Sequence, residues 1–283
     1  MLGVGGITGI AWELGLLAGL ADLGLDLSAA DVVVGTSAGS FVGAQIRGGA
    51  GLEELYESQL RPASGDATER IGRGLLLRLA APYLLPRDER TARARVGRLA
   101  LAASTVPEAE RRRVIAAGLP STSWPNRPLL VAAVDALTGD AVAFSGPQQG
   151  SLVDAVAASC AVPLLWPPMT VNGRQYVDGG VRSPTNADLA AGCDRVVVVA
   201  PVTIATRRAG RIDRQLASLG PDVRSAVVRP DDAARRAIGH NVLDDARRAV
   251  AAQAGRAQAA AVASQVAAVW DGGYSTTRSA RSR

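Results

Sequence analysis

The chain contains no lysine: all 31 of its basic residues are arginine. That absence removes the Walker-type phosphate loop, the Schiff base and the lysine general base. A single histidine, His240, excludes metal sites built from two or more imidazoles. Cys160 and Cys193 lie too far apart for paired-cysteine zinc spacings, so neither a metal nor a cofactor is expected. Two cysteines in 283 residues make no disulfide framework, which fits a reducing compartment and a cytoplasmic location. Aromatic residues make up 4%, too few for a base-stacking surface, and acids are interspersed among the arginines. The formal charge of +5 therefore does not point to a nucleic-acid partner. Uninterrupted apolar runs are also missing. The apolar start has no basic region before it and carries Glu13, unlike a signal peptide, and the stretch from Ala155 to Gly173 is broken by Pro163, Pro167 and Pro168. No transmembrane helix is expected. What remains for chemistry is hydroxyls, carboxylates, arginines and backbone amides.

The size and 48% hydrophobic content suit one α/β unit with decorations. Gly3 to Gly9 reads as a glycine turn. Ile10 to Gly24 has apolar residues at helical spacing, and Asp31 to Val34 is a short β-branched strand that runs into Gly35-Thr36-Ser37-Ala38-Gly39 and a second helix. From Leu52 to Pro125 arginines recur among leucines and alanines without a strand-like run, as in a helical insertion. Pro128 to Val134, a turn at Thr138-Gly139-Asp140, and Ala141 to Phe144 form a hairpin signature. A helix at Leu152 to Cys160 follows, then a turn at Asn172-Gly173 and a short strand from Gln175 to Val177. A doubly buried strand is expected from Arg195 to Pro201. Beyond it the chain reads as mainly helical, with one long helix between Asp231 and Trp270 and a basic, disordered tail over 271–283.

Three segments carry chemistry. Gly35-Thr36-Ser37-Ala38-Gly39 after a strand fits a nucleophile elbow, in which Gly35 and Gly39 permit the sharp turn that pushes out the Ser37 hydroxyl. Asp178, at a strand end before Gly179 and Gly180, is a candidate carboxylate base, and needs a partly desolvated site to raise its proton affinity. The order Ser37, Asp178, His240 also satisfies a hydrolase triad, although His240 falls in a helical context. Gly3-Val4-Gly5-Gly6-Ile7-Thr8-Gly9 misses the dinucleotide fingerprint in either register, and glycine amides ahead of a helix instead suit an oxyanion.

These elements, in this order, resemble the patatin-like phospholipase family. Asn126-Arg127-Pro128 through Phe144, Ala158-Ser159-Cys160-Ala161-Val162-Pro163, and Gly173 through Gly180 resemble its hairpin, the segment before its aspartate, and its aspartate motif. The resemblance covers Met1 to about Pro201 and implies a three-layer α/β fold with a mainly parallel central sheet and helices on both faces. It implies one such domain over residues 1–270, with a helical insertion over about 52–125. By the same resemblance Ser37 is the nucleophile, Asp178 its direct base, and the amides of Gly5, Gly6 and Ile7 the oxyanion hole, for a phospholipid or other acyl ester substrate. Two departures stand out: Thr8 occupies a position where the family commonly has arginine or lysine, and only Met1 and Leu2 precede Gly3. They motivate a second expectation, a weak or inactive lipid-binding scaffold. Arg73, Arg78, Arg87, Arg90, Arg93, Arg95 and Arg98 among apolar residues suggest peripheral contact with an anionic membrane.

Overall fold

The computed structural model describes residues 1–62, 74, 79, 82 and 88–270. Seven strands run in chain order: β1 (Val33–Thr36), β2 (Leu129–Asp135), β3 (Ala141–Phe144), β4 (Met169–Val171), β5 (Arg174–Asp178), β6 (Arg195–Val199) and β7 (Arg224–Val228). Nine helices are described: α1 (Gly6–Asp22), α2 (Ala38–Arg47), α3 (Leu52–Leu60), α4 (Glu89–Leu101), α5 (Glu108–Ala117), α6 (Leu152–Ser159), α7 (Ile212–Ala217), α8 (Asp232–Ile238) and α9 (Arg248–Trp270).

β2 is the centre of the sheet. One of its edges pairs antiparallel with β3, from Val131 opposite Phe144 to Val134 opposite Ala141. Its other edge is divided. Parallel β1 occupies the first part and ends with Thr36 opposite Ala132, and antiparallel β5 occupies the rest and ends with Asp178 opposite Ala133. Two strands arriving from opposite directions therefore stop at adjacent positions on one edge. β4 continues the antiparallel side through a tight turn at Asn172 (φ 48°) and Gly173 (φ 75°), a pair of left-handed residues suited to a two-residue hairpin. On the parallel side, Leu2 bridges Gly35 and Val199 and so joins β1 to the parallel pair β6–β7. The sheet is α/β in layout, with parallel pairing around β1, Leu2 and β6 and antiparallel pairing around β5.

Residue alternation sorts the helices onto two faces. Val131 and Ala133 join a core with Val42 of α2 and Ala155 of α6, over which α1 lies, packed most extensively on α9. Val134 and Val177 point the other way, against Ala100 of α4, while Val196 and Val198 pack beneath Ile212 of α7. The α1–α9 crossing is closed by small residues: a Cβ at Gly15 would lie 2.0 Å from the Ala252 carbonyl oxygen, and one at Gly255 would lie 2.3 Å from that of Trp12. Trp12 Nε1 donates to Gln258 Oε1 across the same crossing.

Between Leu52 and Pro125 the described residues form helices α3, α4 and α5 and no strand. The apolar face of α4 is turned to the sheet, where Gly97 lies against Ala136, and Arg90 pairs with Asp140 in the β2–β3 turn. Arg95, Arg98 and Leu99 face outward. Arg73, Arg78, Arg87 and the tail 271–283 lie outside the described residues. Two expectations need correction. The long helix from Asp231 is two helices, because Gly239 (φ 74°) ends α8 and an irregular segment precedes α9. The region after β6 also holds a strand, β7, in which only Ala226, Val227 and Val228 are apolar, too short an apolar run to stand out between loops. Among the described residues no helix is long and apolar enough to cross a membrane.

The tight α1–α9 crossing predicts that Gly15→Val lowers the unfolding free energy by about 3 kcal/mol through overpacking. Gly51→Ala, at a φ of −69° with nothing within 4 Å of the added carbon, is the control and should shift the urea midpoint little.

Candidate active site

The elbow begins where β1 gives out. Ser37 takes φ 53°, ψ −120°, a region that non-glycine residues enter only under constraint from their surroundings. Both flanking glycines are required by space: a Cβ on Gly35 would lie 2.4 Å from Ser40 Cα, and one on Gly39 would lie 2.2 Å from the Leu2 carbonyl oxygen. The backbone of Ser37 is clamped on both sides. Its N–H donates to Ser159 Oγ (2.9 Å), and its carbonyl accepts from Ser40 N (2.8 Å), Ser40 Oγ (2.7 Å) and Cys160 Sγ (3.3 Å). Ser37 itself is 7% exposed.

Asp178 ends β5 on the adjacent register position and is 4% exposed. The turn after it must press onto β2, since a Cβ on Gly179 would lie 2.5 Å from the Ala132 carbonyl oxygen. Oδ1 accepts from Gly180 N (2.7 Å), while Oδ2 has no hydrogen-bond partner among the described residues. Burial pushes this carboxyl up to about 7, against the opposing pull of the Ser37 hydroxyl and then of the Gly180 N–H. The hydroxyl is thus close enough to act on the carboxyl, although no hydrogen bond of ordinary geometry joins the two side chains. Such contacts commonly tighten only when substrate is bound.

The glycine loop divides its amides between scaffold and site. Gly3 N donates to Val199 O and to Glu13 Oε1 (3.0 Å each), and Val4 N donates to Pro184 O (2.8 Å). Thr8 N returns to Val242 O (3.0 Å). Between these anchors the N–H groups of Gly5, Gly6 and Ile7 donate to no protein group among the described residues, and that of Ala38, at the start of α2, is equally unengaged. Gly6 sits at φ 59°, and a Cβ there would lie 2.6 Å from Val242 O. Three amides at the N-terminus of α1, with its positive dipole end, make an anion cradle. Thr8 is fully buried and its hydroxyl also bonds Val242 O (3.3 Å), so this side chain serves the scaffold.

The fold brings Ser37, Asp178, Gly35, Gly39, Gly179, Gly180 and the Gly5–Ile7 loop to the same end of the sheet. It does not join His240 to them: that residue is exposed after α8 and hydrogen-bonds neither Ser37 nor Asp178. Four contributors had no signal of their own. Ser159 and the amide of Ala38 fall inside recognisable segments but carry no mark of their role. Glu13 looks merely like a charge in a helix, yet it is buried and anchors Gly3. Asn186, left-handed at φ 47°, donates from Nδ2 to Thr36 Oγ1 (3.1 Å) and Gly179 O (3.2 Å), tying the two strand ends together. Among the described residues no cluster of His, Cys, Asp or Glu could hold a metal ion.

Comparison with known proteins gives two findings. A family model described as patatin-like phospholipase matches residues 3–191. Among solved structures, the crystal structure of VipD from Legionella pneumophila aligns at 14% identity with a TM-score of 0.48. It covers 93% of this chain and 66% of that one, so the chain spans a little under two thirds of that protein.

Two outcomes follow from the geometry. Because the Asp178 carboxyl titrates near 7 in the fold against an ordinary 3.8, the folded chain holds the extra proton between those values, and this group's contribution to stability is lost as pH rises through that window. Asp178→Asn should therefore be more stable than the wild type by roughly 2–4 kcal/mol at pH 8, and equal to it below pH 4, in urea unfolding. Asn186→Ala removes the donor shared by Thr36 Oγ1, Gly179 O and Ser183 O, of which Gly179 O keeps the Arg182 and Ser183 amides, and should cost about 1–3 kcal/mol in the same assay.

Proposed function

The chain belongs to the patatin-like phospholipase family, and we propose that residues 1–270 form one lipid acyl hydrolase domain in which Ser37 and Asp178 work as a dyad on carboxylic esters. The observation that carries this reading is the pairing of a strained serine with a dry carboxylate that, among the described residues, has no ion-pair partner and keeps one oxygen unpartnered. Asp178 takes the Ser37 proton as the hydroxyl oxygen attacks the ester carbonyl carbon. The amides of Gly5, Gly6 and Ile7 hold the resulting oxyanion. Collapse of that intermediate expels the alcohol, which leaves with the proton from Asp178. A water molecule, deprotonated in turn by Asp178, then releases the acyl group as a carboxylic acid.

Raised proton affinity is what makes a carboxylate useful here. At its ordinary value an aspartate is a poor acceptor for a hydroxyl proton, and near 7 it is better matched while remaining about half ionised at neutral pH. The substrate is a lipid ester, in keeping with the family. Peripheral contact with an anionic bilayer would involve the outward Arg95, Arg98 and Leu99 of α4. Binding to anionic vesicles, and not to neutral ones, in co-sedimentation checks that contact.

Ser37→Ala and Asp178→Asn should each lower hydrolysis of a short p-nitrophenyl ester by about a thousandfold or more, while His240→Asn stays within about twofold of wild type. A fluorophosphonate probe should label Ser37, which a lipid-binding scaffold would not allow. Since the base acts ionised, kcat/KM should rise with pH and level off above an inflection near 7. Loss of activity in the His240 variant, with Asp178→Asn retaining it, would sink the dyad.

A further inference from the structure

Stability alone does not explain Glu13. It stands on α1 among residues 11–20, all of them buried, and is itself 0% exposed. One carboxyl oxygen, Oε1, accepts from Gly3 N (3.0 Å), and the other, Oε2, has no hydrogen-bond partner among the described residues. Gly3 N also donates to Val199 O (3.0 Å), so the amide would stay satisfied without Glu13. A buried oxygen without a partner is destabilising, and an apolar side chain of similar length would remove that penalty while still filling the space. Burial pushes this carboxyl well above the ordinary range, against the pull of the Gly3 N–H, which favours the neutral acid over a negative charge beside the site.

What Glu13 does is tie the glycine loop to the helix that follows it. Side chains on a helix lean toward its N-terminus, so from position 13 the carboxyl reaches back past the first turn of α1 to Gly3. The contact closes a ring of chain around Gly5, Gly6 and Ile7, whose amides are unengaged among the described residues and form the anion cradle. Gly3 meets the elbow as well, since its carbonyl accepts from Gly39 N (2.9 Å) in the first turn of α2. One residue thus touches Glu13 through its N–H and the Ser37 turn through its carbonyl. A run of glycines has many accessible backbone conformations, and oxyanion donors act only at about 2.7–3.1 Å from the oxygen they hold. The register of this loop therefore needs a fastener outside itself.

We propose that Glu13 is a positioning residue for ester hydrolysis: by accepting from Gly3 N it holds the glycine loop in register with the elbow, so that the Gly5, Gly6 and Ile7 amides meet the oxyanion. This rests on the hydrolase reading of Ser37 and Asp178 and adds to it the residue that sets the loop. Glu13 touches neither substrate nor the moving proton; it acts through Gly3. Its removal lowers kcat and leaves KM alone, because the amides it aligns are engaged mainly in the transition state.

The test sets activity against stability. Glu13→Met, which puts an unbranched apolar side chain of similar length in its place, should lower kcat for a short p-nitrophenyl ester by about tenfold or more with KM within about twofold. Its urea midpoint should equal or exceed that of the wild type. Glu13→Gln, which keeps an acceptor for Gly3 N, should restore kcat to within about threefold of wild type. Labelling of Ser37 by the fluorophosphonate, whose phosphoryl oxygen takes the oxyanion position, should slow in step with kcat. Hydrogen exchange at the Gly3 amide, followed by NMR, should quicken in Glu13→Met and not in Glu13→Gln. Gly15→Val, destabilised on the same helix, is the control and should keep its kcat per folded molecule. Wild-type kcat in Glu13→Met, a loss as large in Glu13→Gln as in Glu13→Met, or activity that falls only as the folded fraction falls, overturns the assignment. If the wild type hydrolyses no ester and labels no serine while Gly3 exchange responds as stated, the hydrolase reading fails and the fastening of the loop stands.

Discussion

Everything at the site depends on one edge of β2 being shared by two strands that run into each other. β1 comes up parallel and stops at Ala132; β5 comes down antiparallel and stops at Ala133. Neither can continue, because the other occupies the next hydrogen-bonding position, so both chains must leave the sheet at the same point. The exits are Ser37 and Asp178. The left-handed backbone of Ser37 is the local cost of turning out of a β-strand and into α2 within one residue, and it is tolerated because Ser159, Ser40 and Cys160 fix its amide and carbonyl. Asn186 completes the join by bonding both exits with one amide.

The same collision leaves Asp178 without water. Comparison with Asp135, three residues along β2 from Ala132, separates burial from its consequences. Burial also works against the charge on Asp135, but the Thr138 N–H and hydroxyl, the Leu137 N–H and the Arg174 guanidinium outweigh it and hold that carboxyl below the ordinary range. Asp178 has one amide and a facing hydroxyl, and burial wins. Two aspartates on neighbouring strands thus diverge because Asp178 is the more deeply desolvated and has the fewer partners. Asp135 is fitted to brace a turn, and Asp178 to the proton exchange proposed for it.

Much of this was legible because glycine marks where backbones meet. Gly35, Gly39 and Gly179 stand in the sequence at the points where a Cβ would strike Ser40, Leu2 or Ala132. The strand-to-helix turn at Ser37 and the hairpin around Thr138 have signals within a few residues of themselves. The divided edge of β2 has none, since the register of strands far apart in the chain is set by packing over the whole sheet. Asn186 was silent for the same reason: its partners Thr36 and Gly179 are brought to it only by the finished fold. Gly239 was visible, but in an alanine-rich run a lone glycine reads as tolerated, and its positive φ shows only in three dimensions. Thr8 read as a missing charge at the site, whereas burial under Val242 makes it a fastening for the loop.

The absence of a cation from the glycine loop fits the chemistry proposed for Asp178. In the attack step one negative charge moves from the Asp178 carboxylate to the ester oxygen, and the total charge in the dry site is unchanged. A fixed cation between the two would stabilise the resting carboxylate as well as the oxyanion, lowering the proton affinity that the proposed base requires. Backbone amides at the head of α1 are directional and of short reach, so they favour the charge mainly where the oxyanion forms. On the proposed mechanism, amide donors at Gly5, Gly6 and Ile7 therefore favour the product of proton transfer over its starting point. A serine served by a lone carboxylate needs that asymmetry more than one served by histidine, because the conjugate acid of the dyad is neutral and cannot itself help to hold the oxyanion.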